Sequence, residues 1–256
     1  MRQPDVRQPH HQADRDDDGV SAAAEKALEL VHDGARVGLG SGNAARVFTS
    51  ALGKRVREGL RVTCVPTSRA SADQAKQAGI PLIALGGALD ITVDGADEVS
   101  PALDLVKGRG GAFVRERIVA AASKRQVILI GKQKLVDRLG QLGRIPVEVI
   151  PLAEWSATRA LESLDLVPSL RMNETGQPFV SENGNLIFDC TPSAPLRDGV
   201  AARALEQAMR AIAGVVDTGL FLGTAERVIV GHTGGRVDVL IRSWGSDSRR
   251  KPNGAK

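Results

Sequence analysis

The chain contains no tyrosine, two tryptophans and five phenylalanines. So few rings exclude a stacking surface for single-stranded nucleic acid, which depends on aromatic platforms. Cysteine is scarcer still: Cys64 lies in one apolar run and Cys190 ends another. Two scattered thiols make no disulfide framework, and buried thiols act as small hydrophobes. No apolar run approaches the ~18 residues of a membrane-spanning helix. The stretch from Met1 to Gly19 lacks the apolar segment of a secretory signal. Neither nucleic acid nor membrane is therefore an expected partner, and the expected compartment is the cytoplasm.

The formal charge of +4 sits mostly at one end. From Arg242 onward stand five cations and one anion, whereas the first eighteen residues hold three Arg and five Asp. A basic end on a near-neutral body points to solubility rather than to nucleic-acid recognition. Residues 1–18 and 243–256 lack periodic apolar positions and are expected to be disordered tails. Between them, a chain of 256 residues that is 42% hydrophobic can bury a substantial core.

Strands and helices alternate through the first half. Helices are expected over 20–32, 44–57, 71–78 and 112–123, and strands over 35–39, 61–65, 81–85, 91–93 and 126–130. That alternation predicts an α/β fold, a Rossmann-like parallel sheet covered on both faces. After Arg144 the pattern changes to strand 147–150, helix 153–164, an extended 166–172, a hairpin around Asn183-Gly184, helix 199–212 and strand 215–222. The order β-α-β-β-α-β predicts a second, smaller ferredoxin-like α+β domain. Strands 228–230 and 237–241 are expected to rejoin the first sheet. The boundaries so read are 19–144 plus 219–242 for the Rossmann-like domain and 145–218 for its partner.

Three motifs carry the chemistry, each after a predicted strand. Gly38-Leu-Gly-Ser-Gly-Asn43 leads from strand to helix, where glycines admit close approach and the helix start offers N–H groups to an anion. A dinucleotide fingerprint needs a glycine in place of Asn43 and an acid closing the second strand, and neither is present. Val93-Asp-Gly-Ala-Asp-Glu98 places Asp94 and Asp97 at a strand's carboxyl end, where open parallel sheets bind ligands. Lys107-Gly-Arg-Gly-Gly111 is followed by Glu116 on the next helix. A lysine with neighbouring amides stabilises an enediolate, and a carboxylate at the mouth of the site removes a proton α to a carbonyl. Taken singly, each motif also fits a tight turn, a capped turn or a dipole-favoured first helical turn. Together they suit proton transfer on a small phosphorylated molecule, with no metal and no organic cofactor needed.

Taken together, these motifs resemble the ribose-5-phosphate isomerase type A family. Val65-Pro-Thr-Ser68, Lys134-Leu-Val-Asp137, Pro146-Val-Glu-Val-Ile-Pro151, Asn183-Gly-Asn-Leu-Ile-Phe-Asp189 and Gly214-Val-Val-Asp-Thr-Gly-Leu-Phe221 extend the resemblance over roughly residues 20–242. The resemblance implies interconversion of D-ribose 5-phosphate and D-ribulose 5-phosphate through a cis-enediolate, in the non-oxidative pentose phosphate pathway. It implies Glu116 as general base, Asp94 and Asp97 as carboxylates on the sugar hydroxyls, and Lys107 with the following amides as the group stabilising the intermediate. Substrate binding is implied for Ser41, Gly42, Asn43, Ala44, Gly95, Ala96, Gly108, Arg109, Gly110 and Lys134. A small sugar phosphate is the implied partner, and a homodimer or homotetramer the implied assembly.

The chain departs from the family pattern at three places. Ala44 stands where the family has a threonine, losing a hydroxyl donor worth ~1.5–3 kcal/mol to a charged group. Arg109 interrupts a run of glycines; if its backbone has a glycine-only conformation, strain of ~1–3 kcal/mol follows. The alternative is that its guanidinium reaches the phosphate or occludes the sugar. Val20 and Ser21 occupy the region where the family often has a lysine. Two alternatives stay open: an isomerase of another phosphorylated sugar, and a sugar-phosphate-binding sensor with little catalysis. A coenzyme A transferase is disfavoured, because its nucleophilic glutamate has a different sequence setting.

Overall fold

The structure is a computed structural model that describes residues 10–243, with side chains described from Gly19. Its elements run α1 (His10–Leu28), β1 (Ala35–Leu39), α2 (Gly42–Arg57), β2 (Val62–Pro66), α3 (Arg69–Gln77), β3 (Ile91–Gly95), β4 (Glu98–Val99), β5 (Leu105–Val106), α4 (Phe113–Ala121) and β6 (Gln126–Gly131). There follow β7 (Ile145–Val149), α5 (Glu154–Glu162), β8 (Leu166–Leu170), β9 (Leu186–Pro192), α6 (Gly199–Arg210), β10 (Val215–Thr218), β11 (Leu220–Phe221), β12 (Arg227–Gly231) and β13 (Val237–Ile241).

Six strands form the main sheet in the order β13-β12-β6-β3-β1-β2, parallel except for β13. Helices cover both faces, so the central strands are apolar along their whole length rather than alternating. In β6, Val127 and Leu129 enter the core on one face while Ile128 and Ile130 enter the core on the other. Successive side chains of a strand point to opposite faces, and here both faces are dry. The α/β reading is correct.

A second sheet, β10-β7-β9-β8, is antiparallel throughout and carries α5 and α6. Its strand order is that of the ferredoxin-like arrangement, and its core joins Val147, Phe188, Leu161 and Met209. A third, small sheet, β11-β5-β4, has Asp97 just before β4 and Lys107 just after β5.

Three local expectations are corrected. The segment 81–85 is no strand: it makes one bridge to β2 through Leu82 and is otherwise partly exposed. The run 215–222 is two strands, because the Gly219 carbonyl accepts from the Lys107 amide and turns the chain into the small sheet. The first helix begins at His10, inside the stretch 1–18 expected to be a tail. No proline or glycine interrupts residues 10–18, so the helix that is buried from Val20 onward extends back through them. Residues 1–9 and most of the basic end, 244–256, lie outside the described residues. No described helix is long and apolar enough to cross a membrane. Cys64 and Cys190 are free and buried, and burial pushes both thiols up to about 12.

Helix α1 lies directly on β12, backbone against backbone, where Gly19 meets Gly231. A Cβ on Gly231 would collide with the Gly19 main chain, and one on Gly19 would sit 3.0 Å from the Gly231 carbonyl carbon. Gly231→Ala is accordingly expected to lower stability by about 1–3 kcal/mol, as overpacking does, read from urea unfolding midpoints at constant slope.

Candidate active site

The carboxyl ends of β1, β3 and β6 open onto a cavity of about 370 Å³. The end of β1 and the loop after it need three glycines for three reasons. Gly38 lies within β1, where a side chain would strike Thr92 and Val119; Gly40 passes against the Asp94 carboxylate; and Gly42 has φ +85°. Ser41 stands at the N-cap of α2 without capping it. Its hydroxyl is held instead by Thr67 and Ser68, each at 2.9 Å. The first turn of α2 thus faces the cavity without a capping side chain, a setting that suits an anion.

Beneath that loop lies the electrostatic centre of the molecule. Lys107 leaves the end of β5 and buries its ammonium, 3% exposed, between Asp94 at 2.9 Å and Glu116 at 3.1 Å. It also donates to the Gly95 carbonyl at 2.5 Å and lies 5.5 Å from the Phe221 ring centre. The Asp94 carboxylate accepts from the amides of Ser41 at 3.1 Å and Gly95 at 2.7 Å. Glu116 sits in the first turn of α4, where the helix dipole favours its charge.

Two carboxylates and one ammonium out of water cannot all hold ordinary pKa values. Burial, then the nearby Asp94 charge, push Glu116 up to about 7, against the pull of Lys107. Burial likewise raises Asp94, with Lys107 opposing it. Burial works against the Lys107 charge, but Asp94 and Glu116 hold it above the usual lysine value.

The neighbouring residue Arg117 ties α4 to the second sheet. Its guanidinium lies 4.2 Å from the Phe221 ring centre, pairs with Asp217 at 2.5 Å, and donates to the Thr218 and Leu220 carbonyls at 2.8 and 2.7 Å.

Ser41, Gly42, Asn43, Ala44, Gly95, Ala96, Asp97, Lys107, Gly108, Arg109, Gly110, Glu116 and Lys134 all line the cavity. Asp94 does not: it lies behind the wall and organises Lys107 and the 41–44 loop. Glu98 does not line this cavity; almost fully buried, it borders an adjoining one and accepts from the Gly140 and Leu142 amides at 2.6 Å each. The amides of the lysine loop are largely engaged within the protein. Lys107 donates to Gly219, Arg109 to Asp97 at 2.9 Å and Gly111 to Gly108. Among the described residues, the amides of Gly108 and Gly110 make no such bond.

Arg109 is not strained, since Leu103 and Asp165 are the described non-glycine residues with positive φ. Glycine is required instead at Gly108, φ +115°, and Gly111, φ +79°, where side chains would strike Phe113 and Phe179. The exposed Arg109 side chain stands at the rim, between the cavity and an adjoining one of about 430 Å³ lined also by Lys134 and Arg144. The Asn43 side-chain oxygen, next to Ala44, accepts from Arg46 at 2.6 Å. Val20, Leu129, Ile130, Gly131 and Gln133 complete the wall and were not anticipated as site residues. Gly131 ends β6 and Gln133 follows it in a short 3-10 turn; the carboxyl end of that strand faces the same crevice as β3, and that position was the available signal.

Comparison with known proteins agrees with this geometry. Residues 63–235 match the family model described as ribose 5-phosphate isomerase A (phosphoriboisomerase A). The ribose-5-phosphate isomerase A of Gloeobacter violaceus is 48% identical over 227 residues, covering 86% of this chain and 95% of that protein. That of Deinococcus radiodurans is 43% identical over 212 residues, covering 81% and 91%. A solved D-ribose-5-phosphate isomerase in complex with phospho-erythronic acid superposes with a TM-score of 0.84 at 34% identity, covering 89% of this chain and 99% of that one. The ribose 5-phosphate isomerase A of Methanocaldococcus jannaschii gives 0.81 at 38% identity, covering 88% and 98%.

The raised Glu116 value makes a stability prediction. Between the unfolded value of 4.5 and the folded value of about 7, the folded chain holds a proton that the unfolded chain has released. Stability must therefore fall as pH rises through that window. Glu116→Gln removes the effect, so the variant should melt higher than the wild type at pH 8, with the difference closing toward pH 5. Calorimetry at a series of pH values checks it.

Proposed function

The chain belongs to the ribose 5-phosphate isomerase A family, and from that premise we propose that it interconverts D-ribose 5-phosphate and D-ribulose 5-phosphate. The observation that carries the reading is the buried Glu116 beside the Lys107 ammonium, 3.1 Å apart on the cavity wall. A carboxylate tuned to about 7 is matched to proton abstraction near neutral pH.

In the proposed reaction the open-chain aldose lies with C1 and C2 against Glu116. The carboxylate takes the C2 proton, and the electrons of that bond form the C1=C2 double bond of an enediolate with its negative charge on O1. Lys107 faces that charge in a site with little water, where an ammonium is most effective. Glu116 then returns the proton to C1, while the O2 hydroxyl proton passes to O1 and leaves a ketone at C2. In this reading Asp97, which lines the cavity, carries that hydroxyl proton. Asp94 supports the step indirectly by holding Lys107. The first turn of α2 and the Lys134 ammonium favour the dianionic phosphate at the other end of the cavity.

The same reading includes a cytoplasmic homo-oligomer. The exposure of Leu152 and Trp155, 97% and 78%, is the feature of the single chain that favours self-association. A bare sensor needs no buried base, so nothing in the cavity favours that alternative.

The test is ribose 5-phosphate isomerisation by the purified chain in EDTA, with Glu116→Gln alongside. The wild type is expected to be active, with kcat/KM declining as pH falls through about 7, because the base must be unprotonated. Glu116→Gln should lose roughly a hundredfold to ten-thousandfold in kcat. An inactive folded wild type, or a variant as active as it, would overturn the reading.

A further inference from the structure

We propose that Glu182, on the hairpin of the second sheet, is a positioning residue that fixes Glu116 relative to the 41–44 loop. The proposal rests on the role of Glu116 given above.

Helix α4 is only nine residues long, and its N-cap residue, Ala112, offers no side-chain bond. No cap therefore fixes its first turn, where Glu116 lies; Phe113 is buried there and Arg117 ties the far side of Glu116 to the second sheet. The residue before Glu116 supplies an external anchor. Arg115 donates to the Glu182 carboxylate at 2.6 Å, to the Asn183 side chain at 2.9 Å and to the Glu182 carbonyl at 3.1 Å. The other Glu182 oxygen accepts from the Arg69 amide at 2.8 Å, at the start of α3. Ser68, the N-cap of α3, is in turn hydrogen-bonded to Ser41 at 2.9 Å. One carboxylate thus connects the helix of the base to the helix whose cap holds the substrate loop.

The hairpin that presents Glu182 is itself anchored. Glu148 of β7 is fully buried, and one of its oxygens accepts from Ser181 at 3.0 Å, Asn183 at 3.0 Å and Asn185 at 2.8 Å. Those three residues flank Glu182 on both sides, so its side chain starts from a fixed backbone. The Arg115–Glu182 pair is partly exposed, at 38% and 28%. An ion pair of that exposure adds little to stability, so its consequence here is geometric. Misplacing a reacting group by about 1 Å costs up to a hundredfold in rate.

The test compares Glu182→Ala, Arg115→Ala and the double variant, each confirmed folded by circular dichroism and thermal unfolding. Each single change is expected to lower kcat roughly tenfold to hundredfold while KM for ribose 5-phosphate stays within about threefold. The double variant should lose no more than the worse single one, because both break the same connection. Glu182→Gln keeps one acceptor oxygen and should lose less than Glu182→Ala. A kcat within about twofold of wild type in folded Glu182→Ala, losses that multiply in the double variant, or a change in KM alone would overturn the proposal. Glu116→Gln run in parallel separates the two failures. If that variant is as active as wild type, the role of Glu116 fails; if it is inactive while Glu182→Ala is fully active, only the positioning role fails.

Discussion

A lysine ammonium almost without access to water, held between two carboxylates, is the interaction on which the rest of this site depends. An unpaired charge so placed would be prohibitively costly, and removing one partner of a buried pair leaves the other uncompensated. Lys107 is tolerable because Asp94, Glu116 and the Gly95 carbonyl all face it. The converse also holds. With two negative charges for one positive, the cluster accepts a proton readily, and burial raises both carboxylates, Glu116 to about 7. The buried cluster that makes the lysine possible also raises the carboxylate proposed as the base.

Much of the surrounding backbone serves this cluster. Gly40 lacks a side chain because Asp94 needs the space, and Gly108 and Gly111 let the lysine loop pass Phe113 and Phe179. The second sheet contributes through arginines on either side of Glu116. Arg117 reaches β10 and β11, and Arg115 reaches the hairpin before β9. The ferredoxin-like part therefore bears on the orientation of a helix that belongs to the other sheet.

The cavity wall was largely legible in the sequence, since glycine loops and polar residues at the ends of apolar strands mark where a parallel sheet binds ligands. Depth was not legible. Asp94 and Asp97 look equivalent along the chain, yet one lies behind the wall and the other on it. Which of them faces the ligand depends on where Lys107, thirteen residues beyond Asp94, brings its ammonium. Backbone conformation was equally hidden at Arg109, whose place among glycines suggests strain that its φ does not show. The break between β10 and β11 depends on a hydrogen bond from Lys107 to Gly219, distant in sequence, so the apolar run reads as one strand. Glu182 gave no sign of itself, because its partners Arg69 and Arg115 are brought to it only by the fold.

The most direct test of the central claim, that the Lys107-paired carboxylate of Glu116 moves the proton, is solvent exchange followed by proton NMR in D2O. The wild-type chain with ribose 5-phosphate should form ribulose 5-phosphate while deuterium enters at C1 and C2. Glu116→Gln should neither isomerise the sugar nor exchange those positions. Exchange at the wild-type rate in the folded variant would contradict the account.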